Sequence, residues 1–285
     1  MVAIGFYLTA AGTGIINFAQ GTLVSLGSLF MAAFFPESGL FIVPMLLLVV
    51  IFCGGVGYVT ERLLIHPILH RGPMPCIVAT LAISIGLQAL MFIFFGGASR
   101  GVAQFTEGGP WQIAGAHILR QQAWIMGAMV IVGVGTYVLF SRTLRGKSLL
   151  AAADNATGAR VVGIDPKRVT TAMFVLAAAI SGLAGAVAAP VIGASFDSGI
   201  AFSLKGFAAA SIGGFGSPYG AAAGGLGLGV VESFAGSIFP SQYRDVIVLG
   251  IFILALTVRP QGFTGVGRGS ARRAQRKLMR REALT

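Results

Sequence analysis

PCIVATLAISIGLQALMFIFFGG, residues 75–97, contains no Lys, Arg, Asp or Glu. A helix rises about 1.5 Å per residue, so about twenty such residues cross the hydrocarbon core of a bilayer. The stretch reads as a membrane-spanning helix, and the rest of the chain repeats its character. Mean hydropathy is +0.86, with 55% hydrophobic and 10% charged residues, whereas roughly a quarter of a soluble domain is charged. A soluble globular class is excluded.

Further apolar runs cover residues 1–16, 21–35, 39–60, 122–140, 169–193, 219–238 and 245–258, each ended by Pro, Gly, Asn or charge. The fold class is therefore all-α, a polytopic membrane protein of about eight transmembrane helices. Residues 1–265 form the membrane domain and residues 266–285 a basic tail, which leaves no length for a sizeable extramembrane domain. Fourteen of the twenty Lys and Arg fall within 142–168 and 259–281. Such clusters beside apolar spans follow the positive-inside rule, so the net charge of +11 speaks for membrane orientation and not for nucleic acid. Both clusters are expected on the cytoplasmic side. Only three clear helices separate them, so a fourth passage is required. The candidate is residues 198–217, SGIAFSLKGFAAASIGGFGS, which reads as a half helix plus extended backbone, a broken or re-entrant segment. Non-helical backbone at membrane depth is tolerated where protein or a water-filled cavity surrounds it, and such breaks mark substrate pathways. A second break is expected at 17–21.

Most of the 42 glycines read as packing residues; Gly182 with Ala186 and Gly225 with Gly229 are small-xxx-small pairs. GGFGSPYG at 213–220 is too punctuated for that account. Charged residues inside apolar runs cost about 2.5–3.5 kcal/mol near a helix centre. Lys205 and Glu232 are the clearest, and an ion pair or snorkelling stands beside substrate contact as their role. Asn17 and Gln20 have two level readings, lining a pathway or satisfying freed backbone groups. With Gly213, Gly214 and Ser217 these four make up the candidate translocation residues. Cys53 and Cys76 lack CxxC spacing, and Pro67 interrupts the helix that would align His66 with His70, so neither a disulfide nor a metal site is expected. No nucleophile, base and orienting group share one depth, so no catalytic set and no cofactor are expected. The apolar start has no basic n-region or A-x-A site and is not read as a cleavable signal peptide. The tail RRAQRKLMRR, 272–281, reads as an orientation signal with affinity for anionic lipid.

GIINFAQG at 14–21 resembles the N-terminal hallmark of branched-chain amino acid ABC-transporter permeases of the LivH type, with Gln20 where that family carries histidine. RTLRGKSLLAAADNATGARVVGID at 142–165, FAAASIGGFGSPYGAAAGGLGLGVVES at 207–233 and YRDVIVLGIFILALTVRPQGFTG at 243–265 match in order. Against that family the first helix is about half its usual length, from a late start or a short span.

Gly146-Lys147-Ser148 does not make a phosphate-binding loop, since Ser141 stands where its first glycine belongs and an apolar span precedes it. Read as one helix, the loop places Leu149, Leu150, Ala153, Ala156 and Val161 on a stripe that could enter a groove on another protein; a solvated loop is the other reading. The resemblance implies a coupling helix, with Arg145, Ala152, Ala153, Asp154 and Gly163 as contact residues for an ATPase. It further implies a non-enzymatic permease subunit in the bacterial inner membrane, with its C-terminus cytoplasmic. Its implied partners are a second homologous permease, two cytoplasmic ATPase subunits and a periplasmic substrate-binding protein. An ion-coupled secondary transporter, with Glu232 as its acid, would take up solute after ATP depletion. A passive small-solute channel would conduct when reconstituted alone.

Overall fold

The computed structural model describes residues 1–35, 41–106, 108–109, 111–113, 116–238, 240, 243–258 and 262. All eight expected helices are present. They are α1 (Val2–Thr13), α2 (Gln20–Phe34), α3 (Ile42–Val59), α4 (Pro73–Phe95), α5 (Arg120–Arg142), α8 (Pro166–Ile192), α10 (Pro218–Ile238) and α11 (Arg244–Val258). Between them lie α6 (Leu144–Asp154), α7 (Ala156–Val161) and α9 (Gly199–Gly213). Among the described residues, five helices are long and apolar enough to cross a membrane: α3 with its π-helical extension, α4, α5, α8 and α10. The chain is a multi-pass, all-α membrane protein. Its one sheet among the described residues is a small antiparallel hairpin, β1 (Trp111–Ile113) with β2 (Ala116–Ile118), pairing Trp111 with Ile118.

Helix ends follow local chemistry. Pro166 and Pro218 open α8 and α10, where a missing N–H costs nothing. Asp165 caps α8 by accepting from the Lys167 N–H, and Ser217 caps α10 by accepting from the Gly220 N–H. Gly14, at φ 72°, ends α1 in the left-handed conformation that glycine adopts without a Cβ penalty.

The chain divides into two compact units, Met1–Phe207 and Ala208–Thr285. In the first, α8 is the central helix and α1, α2, α3 and α5 pack on it. Bilayers supply no hydrophobic drive between helices, so close approach of small residues must hold them. Here a Cβ on Gly27 would overlap the Gly182 carbonyl, and one on Gly185 the Val24 carbonyl. Gly182 and the fully buried Ala186 thus pack as expected. Gly229 does not, since a Cβ there would meet nothing within 4 Å. Leu29, Met31, Val49, Cys53, Met91 and Phe105 belong to the apolar core. Large apolar side chains such as Ile51, Phe94 and Ile131 stay exposed, as lipid-facing positions do. In the second unit α10 packs on α11, and Gly224 lies against Ala209 and Gly213 of α9.

Candidate functional site

The first break runs from Gly14 to Ala19, between α1 and α2, and frees backbone groups that need partners inside an apolar bundle. Small hydroxyls and two amides supply them. The Phe18 N–H donates to Thr80 Oγ1 (3.3 Å) and the Ala19 N–H to Asn17 Oδ1 (3.1 Å). Ser203 Oγ donates to the Phe18 carbonyl (2.7 Å) and accepts from the Gly21 N–H (3.0 Å). Thr22 and Ser84 share a hydroxyl–hydroxyl bond of 2.6 Å. Gln20 Nε2 donates to the Ala177 carbonyl (2.7 Å) and to Ser181 Oγ (2.6 Å) on α8. Its orientation is fixed because a carbonyl can only accept. Room for that side chain exists because residue 5 is glycine, whose Cβ would overlap Gln20 Nε2. The result is a polar seam through α2, α4, α8 and α9. It is closed, with Asn17 2% and Gln20 0% exposed. Among the described residues Gln20 Oε1 and Ser25 Oγ are buried there with no hydrogen-bond partner, and each such group costs about 1–3 kcal/mol.

Both candidate amides therefore sit together, Asn17 bonded to the freed backbone and Gln20 bridging to α8. Lys205 lies half-buried on α9, two residues beyond Ser203. At the second break, α9 has only 15 residues, fewer than a span needs. Gly214 takes φ 91°, and a Cβ on Gly213 would overlap the Gly220 carbonyl. Ser217 serves as the α10 cap, and Glu232 is half-buried on α10.

The basic loop 142–168 is helical but not as one rod. Asn155 (φ −148°, ψ 89°) ends α6, and its side chain accepts from the Gly158 N–H to start α7 (2.9 Å). The expected single stripe through Leu149, Leu150, Ala153, Ala156 and Val161 is corrected on that ground, because Asn competes with the helical backbone and caps a new helix. Thr143 caps α6, and a Cβ on Gly146 would overlap the Leu139 carbonyl, so Gly146 fastens α6 to α5. Ala152 is buried, Ala153 half-buried and Arg145 exposed, while Asp154 is the last residue of α6. Gly163 (φ 81°) ends α7 in a Schellman motif: its N–H bonds the Arg160 carbonyl, and the Ile164 N–H bonds that of Ala159. A cavity of about 480 Å³ under these helices is lined by Thr13, Ala152, Arg160, Lys167 and Thr170.

Sequence reading missed Glu61. It stands at the end of an apolar run and so counts as a terminator, yet the helix continues as a π-turn, Thr60–Ile65, and buries the carboxylate completely. Thr171 Oγ1 on α8 donates to its Oε2 (2.7 Å), and His66 Nδ1 lies 3.4 Å from Oε1. Leu63, Leu64 and Ile65 beyond the charge were the available signal. The tail 272–281 lies outside the described residues.

The described residues form a multi-helix membrane bundle with non-helical backbone at 14–19 and at 214–217 and a helix pair in a basic loop. The sequence model of the branched-chain amino acid transport system permease component matches residues 1–256, and the chain belongs to that family. It is 30% identical over 282 residues to the high-affinity branched-chain amino acid permease protein BraD of Pseudomonas aeruginosa, covering 93% of this chain and 91% of that one. It is 29% identical to LivH of Escherichia coli K12 (93% and 90% covered) and to LivH of Salmonella typhimurium LT2 (93% and 90%). No solved structure matches the chain.

Proposed function

We propose that this chain is a permease subunit of a bacterial ABC importer that moves branched-chain amino acids or similar small solutes across the inner membrane by alternating access. The observation that carries this reading is the family match over residues 1–256. The chain works with a second homologous permease, two cytoplasmic ATPase subunits and a periplasmic substrate-binding protein. Its basic loop and C-terminal tail face the cytoplasm, where the positive-inside rule puts them.

The packing supports a route for coupling. Helix α6 rests on α5, α1 and α8. A push from an ATPase on the surface around Arg145, Ala153, Asp154 and Gly163 therefore passes through the buried Ala152 toward α1, whose end leads directly into the first break. Opening the seam there means parting Gln20 from Ala177 and Ser181. Gln20 Oε1, unpaired when closed, then offers an acceptor to a polar solute. Asn17, Gln20 and Lys205 are the pathway candidates of the first unit, and Gly213, Gly214, Ser217 and Glu232 are those of the second, each taken by itself. A path with so few charges is suited to passage and not to tight binding, so selectivity rests mainly with the soluble binding protein.

Affinity purification of the tagged chain from its native membrane in mild detergent tests this. The expected result is stoichiometric recovery of an ATPase and a second permease, with ATP hydrolysis stimulated by solute-loaded binding protein. Recovery of the chain without any ATPase overturns the reading.

A further inference from the structure

Where α3 ends, charge meets the lipid-facing surface. A cavity of about 800 Å³ is lined there by Tyr58, Arg62, His66, Lys167, Arg168 and Thr171, together with Asp165 and Ala172. Asp165 lies 3.6 Å from Arg168, and His66 faces the buried Glu61. Among the described residues neither Arg62 nor Lys167 forms an ion pair, so the cavity keeps a surplus of positive charge beside the Thr171 hydroxyl. Tyr58 also lines a second cavity of about 1070 Å³ between α3 and α4, walled by Ile51, Phe52 and Val59 on one side and Ile83, Leu87 and Leu90 on the other. Gly55 and Gly86 lie in its wall, and a Cβ on either would meet nothing within 4 Å. Among the described residues these glycines fit no neighbour; they widen the groove.

We propose that the two cavities form one site for an anionic phospholipid, with its phosphodiester beside Arg62 and Lys167 and an acyl chain in the α3–α4 groove. The occupant must be apolar along one part and anionic at its end. It must also pass Tyr58, the kind of amphipathic side chain found at headgroup level. A phospholipid at the membrane boundary meets these requirements, and basic pockets between spanning helices are suited to acidic headgroups. A zwitterionic lipid brings a compensating ammonium and gains less from the surplus charge.

The test is native mass spectrometry of the full chain in mild detergent, titrated with phosphatidylglycerol or with phosphatidylethanolamine of the same acyl chains. The expected result is one retained phosphatidylglycerol, preferred by roughly tenfold. The double variant Arg62→Gln/Lys167→Gln should lower its retention to the phosphatidylethanolamine level, and Gly86→Trp should lower retention of both lipids. Equal retention of the two lipids by the parent chain overturns the proposal, as does unchanged retention in the double variant. Displacement by inorganic phosphate with no effect of Gly86→Trp identifies a free-anion site and overturns it too. So does loss of association with a second permease chain in Gly86→Trp at unchanged lipid retention, which marks a protein interface. If the double variant is not recovered folded, Gly86→Trp alone decides, because its side chain enters open space.

Discussion

Gly213 and Gly214 are constrained in two different ways. The first has no room for a Cβ against Gly220, and the second has a backbone angle of φ 91° that side chains resist. Gly54 and Gly55 face ordinary contact and open space. Replacing Gly213 and Gly214 with Leu should therefore reduce transport at equal membrane levels more than the same change at Gly54 and Gly55, with about 1–3 kcal/mol for overpacking alone. Equal losses in an uptake assay would mean that the second break has no special role. At the first break the test residue is Gln20. Gln20→Leu removes both N–H donors to α8 and leaves Ser181 Oγ without that donor, a loss partly offset by removal of the unpartnered Oε1; the expected net result is a modestly lower melting temperature in detergent, whereas Gln20→His keeps a ring N–H donor and should recover part of it. An unchanged melting temperature in Gln20→Leu would show that these bonds do not hold α2 to α8.

At the scale of elements, α6 and α7 decide the coupling account. Ala153 is half-buried on α6, and a Trp there should overfill the surface offered to an ATPase while leaving the spanning helices intact. Normal insertion and permease pairing are expected, with poor ATPase recovery and little ATP-driven uptake; Trp at the exposed Ala103 should be nearly silent. Parental transport by Ala153→Trp would remove the coupling role from residues 142–165. The elements themselves were legible, because apolar runs of spanning length and their Pro, Gly and charge boundaries are local signals; the break expected at 17–21 lies at 14–19, with Gln20 and Gly21 already in α2, because Gly14 ends α1 before the polar Asn17 is reached. The kink at Asn155 was not, since AAADNATGAR carries small residues on both sides and the choice between helix and cap is settled by a single side-chain bond. Nor were the partners of the seam. Thr80, Ser84, Ser181 and Ser203 are lone small hydroxyls in separate apolar runs, 62 to 185 positions from the residues they bond, and only the fold assembles them.

For the whole molecule, the short α9 and the two basic clusters bear on orientation together. With Cys53 and Cys76 removed, single cysteines at Ser148 and at Ser270, which lies outside the described residues, should be shielded from an impermeant thiol reagent in intact cells, while one at the exposed Gln104 should label. Opposite accessibility at Ser148 and Ser270 would remove the fourth passage assigned to residues 198–217. The central claim is that the permeability of this chain is governed by ATPases it does not itself contain. Its most direct test is uptake of labelled leucine into proteoliposomes holding the co-purified complex, with ATP inside and binding protein outside. Accumulation that requires both, and that is absent from vesicles containing this chain alone, is the predicted result. Accumulation driven by an ion gradient without ATP, or leucine flux through the chain alone, would contradict it.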